Sequence, residues 1–218
     1  MSIKGTFTAE CPSCGERFEA DLWTVIRGDR DSALKEALIS GECDLLMCPA
    51  CSGIFSCEES FIYLDPGMEL MVFVMPESRS GEKERLLEKM RTDYEEFRSS
   101  PAASELAPGV KPLYYFGTQA LSELLRRDRD MEEETDVMLF MAGERGFKSA
   151  PIRAVFSREN DLPFAMPYAG CPCRDHALKA ARAILAENDA LVRLANLAKL
   201  LESAKTQELP FLRGAGCR

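Results

Sequence analysis

At 218 residues, 46% hydrophobic and 29% charged, the chain carries enough apolar content for one large soluble domain or two small ones. Its net charge of −9, with five Lys/Arg against ten Asp/Glu in residues 1–58, argues against nucleic acid as a partner, because that binding needs cations to displace counterions. No cationic start leads into an apolar run, and no apolar stretch nears the ~18 residues of a membrane span, so the expected setting is the cytoplasm with no membrane partner.

Residues 3–10 and 16–25 mix β-branched and aromatic side chains and predict two strands on either side of Cys11-Pro12-Ser13-Cys14. Asp31-Ser32 offers an N-cap and Gly41 a left-handed stop, which predicts a short helix over 33–39. Strands are expected at 54–57, 61–64 and 69–75, with Asp65-Pro66-Gly67 as a turn and Pro76 as a terminator. Residues 1–76 are thus expected to form an antiparallel, zinc-ribbon-like sheet with one inserted helix.

After a polar break at 78–81, Leu86, Leu87, Met90, Tyr94 and Phe97 fall at helical spacing and predict an amphipathic helix within residues 77–98. That helix either packs on the sheet or docks a partner. Three prolines and Gly109 make 99–112 a linker. Residues 113–218 read as mainly helical. Thr118 caps one helix to 127, and Glu132-Glu133-Glu134 opens a second that closes at Gly143. A strand at 152–156, irregular chain at 157–172, and a helical stretch from Cys173 or Asp175 to 204, broken near Asn188-Asp189, complete an α+β chain.

The strongest chemical signal is the repeated clasp, Cys11-Pro12-Ser13-Cys14 and Cys48-Pro49-Ala50-Cys51. A two-residue spacer lets both sulfurs reach one ion, at roughly 2.3 Å each for zinc. Proline after the first cysteine favours the turn. Gly15 follows the first clasp directly, whereas the second reads Cys51-Ser52-Gly53, which places its glycine one residue late. Four thiolates fill a tetrahedron and leave no open position, so this pattern predicts structural Zn²⁺ rather than a catalyst. The 33 residues between the clasps must carry structure of their own.

In these features the chain resembles the bacterial and archaeal CpXC family. The correspondence runs through Cys11-Pro-x-Cys14-Gly15, Phe18, Trp23, the short helix ending at Gly41, Cys48-Pro-x-Cys51, Tyr63-x-Asp65 and the strand ending at Pro76, and extends through Phe116-Gly117 to about residue 145. The resemblance implies a metal-binding domain and no particular reaction. Two departures stand out. Glycine does not follow the second clasp immediately, which implies a slightly looser second knuckle. Leu64 stands where many members have histidine, which removes a polar group and argues against a family-wide catalytic role at that position here.

A second constellation, Cys171-Pro172-Cys173-Arg174-Asp175-His176, contains the only histidine in the chain. Cys171, Cys173 and His176 offer three metal ligands, or a thiol-redox pair beside a helix N-terminus that favours thiolate, with Cys217 or a carboxylate as a fourth ligand. The same residues can equally be a turn that starts a helix. Cys43 and Cys57 flank the second clasp, either as small buried apolar groups or as thiols sensing oxidation near the metal. Trp23 and Tyr63 read as core aromatics with no cation accompanying them, and the charged runs 126–130 and 132–134 as solvated helix faces. No phosphate loop, HExxH motif or nucleophile elbow occurs, so nothing supports an enzyme. The reading is a cytoplasmic zinc protein with a protein partner. Its rivals are a thiol-redox or metal-sensing protein using Cys171, Cys173 and His176, and a zinc-ribbon regulator that contacts nucleic acid.

Overall fold

The computed structural model describes residues 1–99, 110–203 and 209–212. Contacts divide the chain into two units, Met1–Arg126 and Arg127–Arg218. Most of the expected linker at 99–112 lies outside the described residues.

The first unit holds β1 (Ile3–Glu10), β2 (Arg17–Arg27), α1 (Ser32–Ser40), β3 (Leu45–Met47), β4 (Ile54–Ser56), β5 (Phe61–Asp65), β6 (Leu70–Met75), α2 (Lys83–Arg98) and β7 (Leu113–Phe116). Five strands form one sheet in the order β1-β2-β5-β6-β7, and β3-β4 pair separately. This corrects the antiparallel expectation, since β2 pairs with β5 and β6 with β7 in parallel. The reason is topological. A parallel neighbour needs a long crossover, and α1 with the β3–β4 hairpin supplies one while α2 supplies the other.

Every residue of β6 is buried, and alternation sends its side chains to two cores. Leu70, Val72 and Val74 join Phe61, Tyr63, Leu38, Leu121 and Leu125 on one face. Met71, Phe73 and Met75 join Leu64, Leu86 and Met90 on the other, with Tyr94 and Phe97 packed alongside. The apolar stripe of α2 therefore packs on the sheet, which answers the choice between sheet and partner. The expected polar break at 78–81 is a 3₁₀ turn, Glu77–Glu82. Asp31 caps α1 through the Leu34 N–H at 3.4 Å, and Gly41 ends it at φ 79°. Gly28 stands against the buried Tyr63, where any added carbon would overlap the phenol.

The second unit begins within α3, Gln119–Glu144, and continues through β8 (Lys148–Pro151), α4 (Ala154–Asn160), β9 (Ala165–Tyr168), α5 (Arg174–Leu185) and α6 (Val192–Ser203). One continuous α3 replaces the two helices expected, because residues 126–134 contain neither Gly nor Pro to interrupt it. Strand β8 ends at Pro151 and α4 starts at Ala154, so 152–156 is not a strand, and β9 lies inside the stretch expected to be irregular. The last long helix divides around Asn188, whose Oδ1 accepts from the Ala190 N–H at 3.2 Å.

Nor are the charged runs of α3 merely solvated. Asp128 is 1% exposed at its side chain and accepts from Arg158 Nε and Nη2 at 2.8 Å each. Glu134 accepts from the backbone N–H groups of Arg193 and Leu194 at 2.6 and 3.2 Å and from Arg193 Nη1 at 2.9 Å. It thereby satisfies orphan donors at the start of α6, a cap supplied from a distant helix.

Candidate metal centre

Each clasp occupies a hairpin loop. The first joins β1 to β2 and the second joins β3 to β4. In the first, the Cys11 N–H donates to Glu16 O at 2.8 Å and the Gly15 N–H to Cys11 O at 2.9 Å. In the second, the Cys48 N–H donates to Gly53 O at 2.9 Å and the Ser52 N–H to Cys48 O at 2.9 Å. The two loops are thus the same knuckle built twice. Gly15 sits at φ 74° and Ser52 takes the equivalent place at φ 58°.

This overturns the expectation of a looser second knuckle: the hydrogen bonds are the same, and serine simply accepts the left-handed backbone. Such a conformation costs a residue with a Cβ about 1–2 kcal/mol. Replacing the exposed Ser52 by Gly is expected to stabilise the metal-loaded unit by about 0.5–1 kcal/mol, measured by denaturant unfolding with metal bound. A destabilised S52G would mean that the serine hydroxyl contributes more than its backbone costs.

The sulfurs meet across the two loops. Cys11 Sγ lies 3.7 Å from Cys51 Sγ, and Cys14 Sγ 3.6 Å from Cys48 Sγ. All four lie within 4.8 Å of one another. Tetrahedral thiolate bonds of ~2.3 Å give edges of ~3.8 Å, so the cluster matches that polyhedron with little adjustment. Cys11 and Cys48 are buried while Cys14 and Cys51 are exposed, so the first cysteine of each clasp anchors inside and the second closes from solvent. Phe18 and Phe55, each four residues past its clasp, meet edge to face at 6.2 Å and bridge the two hairpins.

Without metal, the sulfurs ionise unequally. Burial works to raise the Cys11 thiol, but the N–H groups of Cys14 and Ser13 and the sulfurs of Cys14 and Cys51 outweigh it and bring it down to about 6. The Glu16 N–H favours the Cys14 thiolate, yet the neighbouring Cys48, Cys11 and Cys51 sulfurs, with burial, push that thiol up to about 12. Four thiolates at these distances repel strongly, and a cation at their centre removes the repulsion. The four-cysteine cluster can hold a metal ion.

The model of the family described as CpXC protein matches residues 9–136, more than half of the chain. The chain belongs to the CpXC family. No curated protein and no solved structure matches it. Both clasps lie inside the matched CpXC region, whereas Cys171, Cys173 and His176 lie beyond it.

Other positions singled out in this CpXC chain take structural roles. Leu64 belongs to the apolar core shared by β6 and α2. Asp65 Oδ1 accepts from the Met68 N–H at 3.1 Å and forms the turn. Trp23 does have a cation, since Lys4 Nζ lies 4.6 Å from its ring centroid, placed there by the Lys4–Trp23 pairing across β1 and β2. Cys43 packs against the sheet core, and burial with the Asp44 carboxylate pushes its thiol up to about 12. Burial and the charges of Glu59, Asp44 and Glu58 raise Cys57 also. Thiolate is the reactive form, so the raised thiols argue against an oxidation-sensing role at both positions.

Cys171, Cys173 and His176 do converge, with their ligand atoms within 4.8 Å of one another. Cys217 lies outside the described residues. No helix among the described residues is long and apolar enough to cross a membrane.

Proposed function

We propose that Cys11, Cys14, Cys48 and Cys51 hold one structural Zn²⁺, and that the unit it braces is a protein-interaction module working in the reducing cytoplasm. The observation that carries the metal reading is the cross-loop spacing of 3.7 and 3.6 Å between sulfurs on different hairpins. An all-thiolate tetrahedron selects zinc or iron among abundant ions, and zinc is the ion that closed four-cysteine sites hold without redox chemistry.

The interaction reading draws on the β3–β4 hairpin. Leu45, Met47 and Ile54 are 48%, 66% and 72% exposed. Met47 pairs directly with Ile54, and Leu45 lies two residues away, so all three share one face. An apolar face held out by a metal knuckle suits a protein surface, and the acidic charge of the chain continues to argue against nucleic acid.

Elemental analysis of the chain purified from cells grown without added metal tests the assignment. One zinc is expected at the clasps, lost on replacing Cys14 by Ser. Stoichiometric iron, or a zinc count unchanged after all four cysteines are changed to serine, would overturn it.

A further inference from the structure

We propose that Cys171, Cys173 and His176 form a second metal site, available when Cys171 is reduced and closed when it is oxidised. Cys171 Sγ lies 3.3 Å from Cys173 Sγ and 3.1 Å from His176 Nδ1. Tetrahedral edges around a zinc-sized ion are ~3.5–3.8 Å for sulfur and nitrogen donors, so the three groups need to open by only about half an ångström.

The backbone builds this convergence. Gly170 adopts φ 102°, which swings the chain so that His176 folds back over it, and a Cβ at Gly170 would touch the imidazole at 3.5 Å. The Cys173 N–H donates to Cys171 O at 2.8 Å, closing a tight turn that brings the sulfurs together. Cys173 stands at the N-cap of α5 without using its side chain as a cap, and His176 lies in the first turn. On the imidazole, Nδ1 is the nitrogen that faces the sulfurs, where it accepts a long bond of 3.3 Å from the Cys171 N–H that a metal would replace.

Two soft donors and one borderline donor suit Zn²⁺ or its spectroscopic substitute Co²⁺. Three protein ligands leave a fourth position for water or an exogenous ligand, unlike the closed clasp site. Cys171 is disulfide-bonded while Cys173 is free, so the bond does not join these two sulfurs; it removes one of the three donors and couples the site to redox state. Two equivalents of a small-molecule thiol reduce that bond, supplying two electrons and two protons, one proton to each of the two sulfurs it joined, and leaving as their own disulfide. The metal then binds the Cys171 and Cys173 sulfurs with release of their two protons.

Anaerobic Co²⁺ titration of the full chain, with the reductant removed beforehand, tests this apart from the clasp. The reduced chain is expected to bind two equivalents, the second with weaker sulfur-to-cobalt charge transfer because it has two thiolates in place of four. Cys173→Ser and His176→Ala should each remove that second equivalent and leave the first spectrum unchanged. Serine is a good N-cap, so C173S keeps α5 folded, and its circular dichroism confirms that. A reduced chain with the same stoichiometry and spectrum as C173S overturns the site. An oxidised chain that binds as much as the reduced one, with the clasp already loaded in both, overturns the redox coupling.

Discussion

Replacing Cys48 by Ser is expected to empty the clasp site and release the β3–β4 hairpin, while the second unit stays folded. Each of these strands has three residues, and one face of the hairpin is exposed. Two-stranded hairpins with so little burial do not stand alone in water. An ion at the four sulfurs would therefore add to the Phe18–Phe55 contact in tying the second knuckle to the first, and its binding energy would be folding energy. Structural zinc contributes an apparent 10–16 kcal/mol in small metal-dependent domains, about as much as a whole domain's net stability. Cys48 is 1% exposed, so serine there removes a ligand and buries a hydroxyl in its place.

Residues 41–57 should then lose amide-exchange protection and become cleavable. The second unit should keep its helical signal, because it has its own core of α5 and α6 residues, including Ala177, Ala181, Ile184, Leu194, Leu197 and Leu201. Chelation of the wild-type chain should give the same pattern. Unchanged protection at 41–57 in Cys48→Ser would sink the bracing role. Loss of helical signal in step with the hairpin would show instead that the two units fold cooperatively.

The clasps were legible because their chemistry is local. Two cysteines three positions apart carry their geometry in the spacing itself, whatever the rest of the chain does. The same holds for α1, whose Asp31 cap and Gly41 stop are both used, and for the α2 stripe of Leu86, Met90, Tyr94 and Phe97.

What the sequence hid was set at long range. Parallel pairing of β2 with β5 and of β6 with β7 depends on which element crosses over which, and no local pattern encodes that. Strand β3 is too short to show alternation, and its Leu-Leu-Met run lacks β-branched residues. The Leu-Tyr-Tyr-Phe run of β7 was a readable signal, masked by the proline-rich stretch before it. Ser52 is legible only by aligning the two knuckles: it occupies the place of Gly15, one residue after the last cysteine. Charged helix runs mislead for another reason. Asp128 and Glu134 find partners 30 and 59 residues away, at Arg158 and Arg193, and a helical pattern cannot show a distant arginine.

Of those buried charges, Asp128 should be the costlier to lose. Its carboxylate meets Arg158 Nε and Nη2 at 2.8 Å each, a side-on pairing in which both oxygens are used. The side chains are 1% and 10% exposed, so water replaces little of what a substitution removes. Breaking such a pair from one side leaves a largely buried guanidinium without its two-oxygen partner, at a cost of about 3–5 kcal/mol. Replacing both partners costs less, because no charge is then stranded. Asp128→Ala is therefore expected to lower the stability of the second unit by about 3–5 kcal/mol, with Asp128→Leu/Arg158→Met closer to wild type than the alanine variant. Denaturant unfolding followed by helical signal, with the single variants Asp128→Leu and Arg158→Met closing a double-mutant cycle, measures the coupling. Metal content at the clasps should stay the same throughout, since the four sulfurs come from residues 11–51. A loss under about 1 kcal/mol for Asp128→Ala would place this pair with solvent-screened surface bridges and leave the continuity of α3 to its apolar anchors, Met131 and Met138.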